Sequence, residues 1–219
     1  MPLPLTPKTA KEARQLSAEQ WLDAAFHVLA TNGVEAVRVE PLAKTLNVTK
    51  GSFYWHFKDR SALLDGMLLS WRQRATLGII DRLERGNVPP VMRLRQLLAM
   101  LRINSSSSRD GADVEAAIRL WGRSDDKAAS AVQEIDRLRL GYIRSLVQAT
   151  NPDAQQAEGW SMLIYAFMLA EAAVGPALAP ELCAQCEAIL LQGSTGEASS
   201  TGETPSAGAT PRRARAVKK

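Results

Sequence analysis

The sequence predicts an all-α protein with a small N-terminal helical domain followed by a larger helical domain. Helix-favouring Ala, Leu, Arg, Gln and Glu are abundant, whereas β-branched runs are scarce and aromatic residues make up only 5% of the chain. Apolar residues recur at intervals of three and four through most of the sequence. Capping residues, glycines and prolines divide these segments into successive helices.

Composition narrows the class of protein further. The chain has 219 residues and is 46% hydrophobic, which is enough for a substantial core. Its net charge of +4 points weakly to an anionic partner, and the basic excess lies in the first 60 residues and after residue 192. No long apolar run or signal peptide is visible, so we expect a cytoplasmic protein without a membrane span.

The first helix is predicted to begin at Ser17, after a flexible arm of residues 1–16. Ser17 and Gln20 form a capping box, in which each side chain can bond the backbone N–H of the other residue. Gly33 is expected to end the helix because glycine adopts a positive φ at little cost. The apolar face of this helix contains Trp21, Leu22, Ala25, Phe26 and Leu29.

Two short helical segments joined by a tight turn come next. The second helix is predicted over about Val39–Leu46, with Arg38 a poor cap before it. Asn47 suits the turn because asparagine tolerates the left-handed region. Thr49 is predicted to cap the third helix and Asp59 the fourth.

The remaining helices belong to the larger unit. After the fourth helix, which runs toward residue 86, helices are predicted over about 91–103, 113–122, 126–149, 153–174 and 181–191, with a loop at 105–111. Gly, Ser, Thr, Ala and Pro dominate the end of the chain, so we expect a disordered basic tail that either attracts phosphate nonspecifically or is simply solvated. The predicted segments are therefore an arm (1–16), a helix-turn-helix domain (17–65), a helical domain (66–192) and a tail (193–219).

The beginning of the third helix has the chemistry of a DNA-binding surface. In a helix-turn-helix, the second of the two helices enters the major groove by its N-terminal end, where free amides favour phosphate. Thr49, Lys50 and Ser52 offer groups for bases or phosphates, and Gly51 allows a close approach of the backbone.

Aromatic and basic side chains extend this candidate surface. Tyr54 and His56 are candidate donors to phosphate oxygens, contacts that set register rather than sequence. Trp55 is suited to rest on a sugar or a thymine methyl group. Lys58 and Arg60, at the start of the fourth helix, are candidates to clamp the DNA backbone.

The segment V-T-K-G-S-F-Y-W-H-F at 48–57, with Gly33 and Leu42-Ala43 before it and R-S-A-L-L at 60–64 after it, resembles the N-terminal domain of the tetracycline-repressor (TetR) family. The resemblance covers about residues 17–65. It implies a DNA-binding transcriptional regulator, usually a repressor, that a small-molecule effector releases from its operator. The implied DNA-facing positions are Thr49, Lys50, Gly51, Ser52, Tyr54, Trp55 and His56, with Arg60 at the lysine that begins the fourth helix of the family.

Two positions depart from the family pattern. Asn47 replaces the usual turn glycine, and Arg38 stands where a Ser or Thr cap is usual. Beyond residue 65 the resemblance extends only to the helical plan, which implies an effector-binding domain that dimerises through its last two long helices.

A homodimer also follows from geometry, because one short recognition helix reads few base pairs and a two-fold dimer doubles that number. Ala166, Ala170, Ala173 and Val174 are small residues at helical spacing that would let another helix approach. Packing within one subunit is the alternative.

Several apolar and aromatic side chains are candidates to line an effector cavity, with ordinary core packing as the alternative for each. They are Met67, Trp71, Met100, Trp121, Tyr142 and Tyr165. Arg119 is a candidate for meeting an acidic ligand or, alternatively, an ion-paired residue. Cys183 and Cys186 have no second cysteine pair or histidine cluster near them in sequence, so no metal and no cofactor is expected.

Two other functions compete with a ligand-responsive regulator that binds a palindromic operator. One is an α-helical enzyme or small-molecule-binding protein without DNA binding, but the sequence has only two histidines and lacks a phosphate loop or a nucleophile motif. We therefore do not expect an enzyme. The other is an architectural protein that binds DNA nonspecifically.

Overall fold

The computed structural model describes residues 16–107, 109–174 and 179–195, and every regular element within these ranges is helical. This confirms the all-α prediction. The α-helices are α1 (Ala18–Asn32), α2 (Val39–Thr45), α3 (Lys50–Tyr54), α4 (Arg60–Arg72), α5 (Gly78–Glu84), α6 (Pro90–Ser107), α7 (Arg109–Trp121), α8 (Asp126–Gln148), α9 (Ala154–Val174) and α10 (Pro180–Ser194).

Local signals at the ends of α1 act as the sequence predicts. The Ser17 hydroxyl accepts from the Gln20 amide at 3.3 Å, and the Ser17 amide donates to the Gln20 side chain at 2.9 Å. Gly33 follows the helix with φ 79° and ψ 173°. Its φ is positive as expected, but its ψ is extended, so the chain leaves α1 directly into the short 3₁₀ turn Val34–Ala36.

The core consists of two hydrophobic clusters. The first joins α1 to α4 with α7 and the first half of α8, and its fully buried members include Trp21, Phe53, Leu63 and Ile135. The second joins α5, α6, the rest of α8 and α9. The N-terminal helices therefore share apolar contacts with two helices of the larger unit.

Helices α4 and α5 form one almost continuous rod interrupted by a π-helical turn, Gln73–Leu77. The turn contains a buried polar residue, Thr76, with 2% of its surface exposed. Sequence patterns do not predict this turn, because no proline lies in it.

The predicted loop at 105–111 is wrong. Helix α6 continues to Ser107, and α7 begins at Arg109; Ser108 lies outside the described residues. Serine and glycine disfavour helix by less than about 1 kcal/mol each, so the context of the fold overrides that preference. At the C-terminal end, α10 runs to Ser194, beyond the predicted Leu191, with Pro180 in its first turn. Residues 1–15 of the predicted arm and residues 196–219 of the predicted tail lie outside the described residues.

Candidate nucleic-acid interface

Helices α2 and α3 are joined by a four-residue turn. Asn47 has φ 54°, the left-handed conformation that its sequence position predicts. The Val48 amide donates to the Ala43 carbonyl at 3.0 Å, and the Asn47 amide donates to the Lys44 carbonyl at 3.1 Å. These two bonds close the turn and fix the direction in which α3 leaves it.

The inner side of α3 is anchored by aromatic packing. Phe53 is fully buried, and its ring lies 5.3 Å from that of Trp21 in an edge-to-face arrangement and 5.5 Å from that of Phe57. Edge-to-face aromatic pairs add about 0.5–1.5 kcal/mol beyond their buried area. A helix of five residues has little stability of its own, so these contacts hold it in place.

The outer side of α3 faces solvent. Tyr54 is 60% exposed and Trp55 is 81% exposed, although both are large aromatic residues. Thr49, Lys50, Gly51 and Lys58 are also exposed, and Ser52 is half-buried.

The amide end of α3 is open. Thr49 occupies the N-cap position with extended backbone angles, but its side chain makes no capping hydrogen bond, so its hydroxyl is not committed to the helix. At Gly51, an added Cβ would meet only the Thr49 hydroxyl, at the ordinary contact distance of 3.6 Å. Nothing inside this chain requires a glycine there.

Lys50 forms an ion pair across the motif. Its ammonium group lies 2.8 Å from a carboxylate oxygen of Glu40, on the first turn of α2. The hydrogen bond from Lys50 lowers the pKa of the Glu40 carboxyl below its ordinary value. Glu40 was not predicted from the sequence, because its partner Lys50 lies ten positions further along the chain.

Two predicted DNA-facing residues, His56 and Arg60, also make contacts inside the chain. The Nε2 atom of His56 lies 2.6 Å from the Leu16 carbonyl oxygen. Arg60 donates from Nε to the Val37 carbonyl and from Nη2 to the Val34 carbonyl, both at 2.7 Å. These contacts tie the chain before α1 and the segment after it to the helix-turn-helix, so His56 and Arg60 are engaged in holding the motif together.

The six predicted effector residues do not form one group. Met67, Trp71 and Trp121 belong to the first hydrophobic cluster, whereas Met100, Tyr142 and Tyr165 belong to or pack on the second. A prediction from sequence spacing had no means of separating the two clusters. Of the six, Trp121 lines an open cleft of about 550 Å³ between α1 and α7.

Trp71, Tyr142 and Tyr165 use their polar groups in hydrogen bonds inside the chain. The Trp71 indole donates to Glu115 at 3.2 Å, the Tyr142 hydroxyl donates to Glu84 at 2.8 Å, and the Tyr165 hydroxyl donates to Asp136 at 2.5 Å. Burial and the bond to Asp136 raise the pKa of Tyr165 to about 12. The two tyrosines are therefore neutral donors at physiological pH.

Arg119 is ion-paired, the alternative that the sequence analysis left open. It meets Asp136 at 2.6 Å and Glu115 at 2.8 Å. Glu115 also pairs with Arg139 at 2.8 Å. Burial opposes ionisation of Glu115, but its bonds to the two arginines outweigh burial and keep its pKa below the ordinary value. We call these four residues the charge cluster: Glu115, Arg119, Asp136 and Arg139.

The charge cluster was missed in the sequence, although Arg139 left a signal. It lies four residues after Ile135 and four before Ile143, two buried residues, and is thus on the inward side of α8. A charge on an inward face predicts a buried partner.

Two findings limit other kinds of site within the described residues. No group of three or more potential metal-ligating side chains is found there. None of the described helices is long and apolar enough to cross a membrane.

The α2–turn–α3 geometry, with its buried inner side and exposed amide end, defines a helix-turn-helix protein. Residues 22–67 match the family model of bacterial regulatory proteins, tetR family. This match places residues 22–67 in the tetR-family DNA-binding domain, as the resemblance of the motif indicated.

Relatives with curated descriptions match mainly the N-terminal part. The chain is 31% identical over 94 residues to the HTH-type transcriptional regulator AcrR of Shigella flexneri, covering 42% of each chain. It is 34% identical over 53 residues to the class D tetracycline repressor protein of Escherichia coli, covering 24% of each. The chain thus matches less than half the length of these relatives.

Solved structures extend the similarity of fold to the larger unit. A transcriptional regulator from Rhodococcus sp. Rha1 superposes with a TM-score of 0.63 and 20% identity, covering 81% of this chain and 95% of that one. The regulator FadR from Bacillus subtilis, solved in complex with stearoyl-CoA, gives a TM-score of 0.60 and 17% identity, covering 82% and 99%. At these identities the superpositions establish the fold.

Proposed function

We propose that this protein is a homodimeric transcriptional regulator that binds a palindromic operator and is released by a small-molecule effector, which makes it a repressor acting in the cytoplasm. The observation that carries the proposal is the orientation of α3. Its Phe53 side is buried, whereas its amide end and Tyr54 face solvent. A five-residue helix presented in this way fits the major groove of DNA.

Each residue of the interface has a role in this proposal. Thr49, Lys50 and Ser52 contact bases or phosphates at the amide end, and Gly51 lets the backbone come close. Tyr54, Trp55 and Lys58 contact the sugar-phosphate backbone. His56 and Arg60 hold the motif through the Leu16, Val34 and Val37 carbonyls, in addition to the DNA contacts that the sequence suggested for them.

A dimer face on α9 and α10 brings two copies of α3 to one duplex. Met162 and Leu163 on α9 are 57% and 54% exposed, and Leu182 and Ile189 on α10 are 47% and 63% exposed. Ala166, Ala170 and Ala173 are exposed along the same stripe of α9 as Met162. Small residues beside exposed apolar ones let helices of a second copy approach closely.

The effector acts by shifting populations in this proposal. A ligand that prefers one arrangement of the larger unit favours a spacing of the two recognition helices that no longer fits successive grooves. The stearoyl-CoA complex of FadR, a protein of the same fold, shows that a fold of this kind accommodates a small molecule. Among the six candidate residues, Trp121 is the one that we assign to an effector contact, because it lines the cleft between α1 and α7.

Selection of DNA from a random pool tests the function. The unaltered protein is expected to enrich a two-fold symmetric duplex and to protect it as one discrete footprint. Lys50→Ala and Tyr54→Phe should each weaken binding to that duplex while leaving helical content and dimerisation unchanged. Arg137→Ala is the matched control, because Arg137 is exposed on α8, and its Nε donates to the Gln133 carbonyl within the same helix.

The alternatives give different results in this experiment. An architectural protein would bind with a steep salt dependence but enrich no sequence. A small-molecule-binding protein without DNA binding would enrich nothing at any salt concentration. If both variants bind the selected duplex as tightly as the unaltered protein, the assignment of α3 as the recognition helix is wrong.

A further inference from the structure

We propose that Arg139 is a positioning residue for DNA binding, which sets the spacing of the two recognition helices by locking the π-helical turn Gln73–Leu77. The proposal rests on the proposed function. In the proposed function, Arg139 contacts neither the DNA nor the effector. The inference comes from contacts on the two sides of the turn.

On one side, the π-helical turn contacts α1 of the helix-turn-helix domain through Arg74. Arg74 donates to Asp23 at 2.6 Å and to Glu19 at 3.0 Å, both on α1. Its guanidinium group also lies 5.9 Å from the centre of the Phe26 ring, above the same helix. A rotation of the turn about the rod axis therefore pulls on α1.

The other side of the π-turn is held by α8. Arg139 donates from Nε to the Thr76 hydroxyl at 2.9 Å and from Nη2 to the Ala75 carbonyl at 3.2 Å. Both acceptors belong to the turn, and Thr76 is buried. A π-turn inside an α-helix is rare and is frequently found at a functional site. Arg139 fixes the backbone at the point where the rod departs from α-helical geometry.

Arg139 is connected in turn to α7 and α9. Its guanidinium group makes two bonds to Glu115, at 2.8 and 2.9 Å, and Glu115 also accepts from Trp71 on α4. Through Arg119 and Asp136, the charge cluster continues to the Tyr165 hydroxyl on α9. The helices of the larger unit thus meet the turn through a continuous set of hydrogen bonds.

Arg139 is also the least exposed charged member of a row of polar contacts that joins α8 to α4 and the π-helical turn. Asp65 pairs with Lys127 at 2.8 Å, Arg72 pairs with Glu134, and Thr76 pairs with Arg139. The numbers of the paired residues rise together, so the two helices run parallel. The Asp65–Lys127 pair is exposed, and exposed pairs constrain little. The contact at Thr76 is buried, where a lost partner is costly, so it controls the register between the helices.

In a two-fold dimer, a change in the angle at the π-helical turn occurs in both subunits, so its effect on the spacing of the two recognition helices is doubled. The dimer face proposed above lies on α9 and α10, whereas the recognition helix is attached through α1 and α4. The angle at the π-turn therefore determines how far apart the two copies of α3 lie. The distance between the two copies of α3 must match the spacing between the half-sites of the operator.

The test uses duplexes based on the sequence that the unaltered dimer selects. One set has base pairs inserted or deleted between the half-sites, and another duplex carries a single half-site. Thr76→Val and Arg139→Gln should bind the single half-site like the unaltered protein. Their preference for the selected spacing over altered spacings should fall by about fivefold or more, the lower end of typical couplings between sites.

Lys127→Gln is the matched control, because it breaks the exposed contact of the same row and should leave the spacing preference unchanged. Circular dichroism establishes that each variant is folded, and Thr76→Val, which is nearly isosteric, keeps the test decisive if Arg139→Gln unfolds. The inference is overturned if Thr76→Val keeps the full spacing preference. It is also overturned if half-site binding weakens as much as binding to the full operator. Absence of any selected sequence would overturn the proposed function itself, a result distinct from these two.

Discussion

Nothing in the described part of the folded chain requires a glycine at position 51. Its φ is not in the left-handed region, and a Cβ there would make an ordinary contact with Thr49. In many proteins an exposed helical glycine is a cost, since alanine favours a helix by about 1 kcal/mol over glycine. The proposed function accounts for a glycine at this position, because DNA would then approach the backbone of α3 from outside.

Gly51→Ala is therefore expected to separate folding from binding. The free energy of unfolding should stay the same or rise by up to about 1 kcal/mol, because the helix gains and no contact is lost. Binding to the selected duplex should weaken by about tenfold or more, roughly 1.4 kcal/mol, since the methyl group holds the backbone away from the DNA. Urea unfolding and a fluorescence anisotropy titration measure the two effects. Unchanged DNA affinity would contradict the close approach at Gly51.

Glu40 gives a second prediction at this scale. Its carboxylate pairs with Lys50 and adds negative charge to the surface that we propose binds DNA. Glu40→Gln frees the ammonium group, so nonspecific binding should strengthen, and the slope of log K against log salt should steepen by up to about 0.9 for one extra phosphate contact. Titrations of an unrelated duplex at several salt concentrations measure this slope.

The same prediction has a pH dependence of known sign. Because Lys50 lowers the pKa of Glu40, the carboxylate is ionised above that lowered pKa and loses its charge only as the pH falls through it. The difference between Glu40→Gln and the unaltered protein should therefore be constant from about pH 6 to 8. Asp126→Asn, at an exposed carboxylate on α8, is the control for the change in net charge. An equal effect of both substitutions would mean that net charge alone is responsible.

Residue-level predictions from sequence succeeded where the cause was local. The Ser17–Gln20 capping box, the positive φ of Asn47 and the Asp59 cap, which accepts from the Ala62 amide at 2.8 Å, all depend on neighbours within a few positions. His56 was less accessible to such reasoning, because its partner, Leu16, lies 40 residues away. The sequence shows the same residue type whether a polar side chain of the motif contacts DNA or another part of the chain.

At the scale of elements, the sequence predicted which segments are helical better than where they end. The predicted loop at 105–111 rested on serine and glycine content, yet α6 and α7 occupy most of it. The π-turn at Gln73–Leu77 left no trace in the pattern of apolar residues. Both features depend on contacts with other helices, which single-sequence propensities do not contain.

The contact between α9 and α10 supplies a prediction of its own. A Cβ at Gly193 would lie 2.2 Å from two atoms of the Trp160 ring, far inside contact distance. Gly193→Ala must therefore displace the ring or the end of α10, and overpacking of this kind costs about 1–3 kcal/mol. Thermal or urea unfolding measures the loss.

Gly141→Ala is the matched control for this substitution, because nothing lies within 4 Å of a Cβ at that position in α8. It should be neutral or stabilise the protein by up to about 1 kcal/mol. If Gly193→Ala is as stable as Gly141→Ala, the end of α10 does not pack on Trp160 in solution.

At the scale of the whole molecule, the two hydrophobic clusters show how the helix-turn-helix domain is packed against the larger helical unit. The first cluster includes α1 to α4 together with α7 and part of α8, so the helix-turn-helix does not hang on a flexible linker. The sequence predicted the order of the helices but not this shared core. Which helices pack together depends on the three-dimensional arrangement, and the six effector candidates were divided between the clusters for the same reason.

The dimer face gives the last prediction. Ile189 on α10 and Met162 on α9 are exposed apolar residues, and a charge at either position would have to be buried without a partner if the face is covered. Met162→Asp and Ile189→Asp should each convert the dimer to a monomer at micromolar concentration, as measured by sedimentation. Each variant should keep its helical content, because both positions are exposed within one subunit.

Loss of the dimer must also change how DNA is bound. A monomer presents one recognition helix, so it should bind the full operator no more tightly than a single half-site. Leu69→Asp is the matched control: Leu69 is 65% exposed on α4, a helix that packs on α1 and α8, and its substitution should leave the dimer and the operator affinity intact. If Met162→Asp and Ile189→Asp remain dimeric, another surface brings the two copies of α3 together. Arg139 would then set the position of α3 relative to that surface.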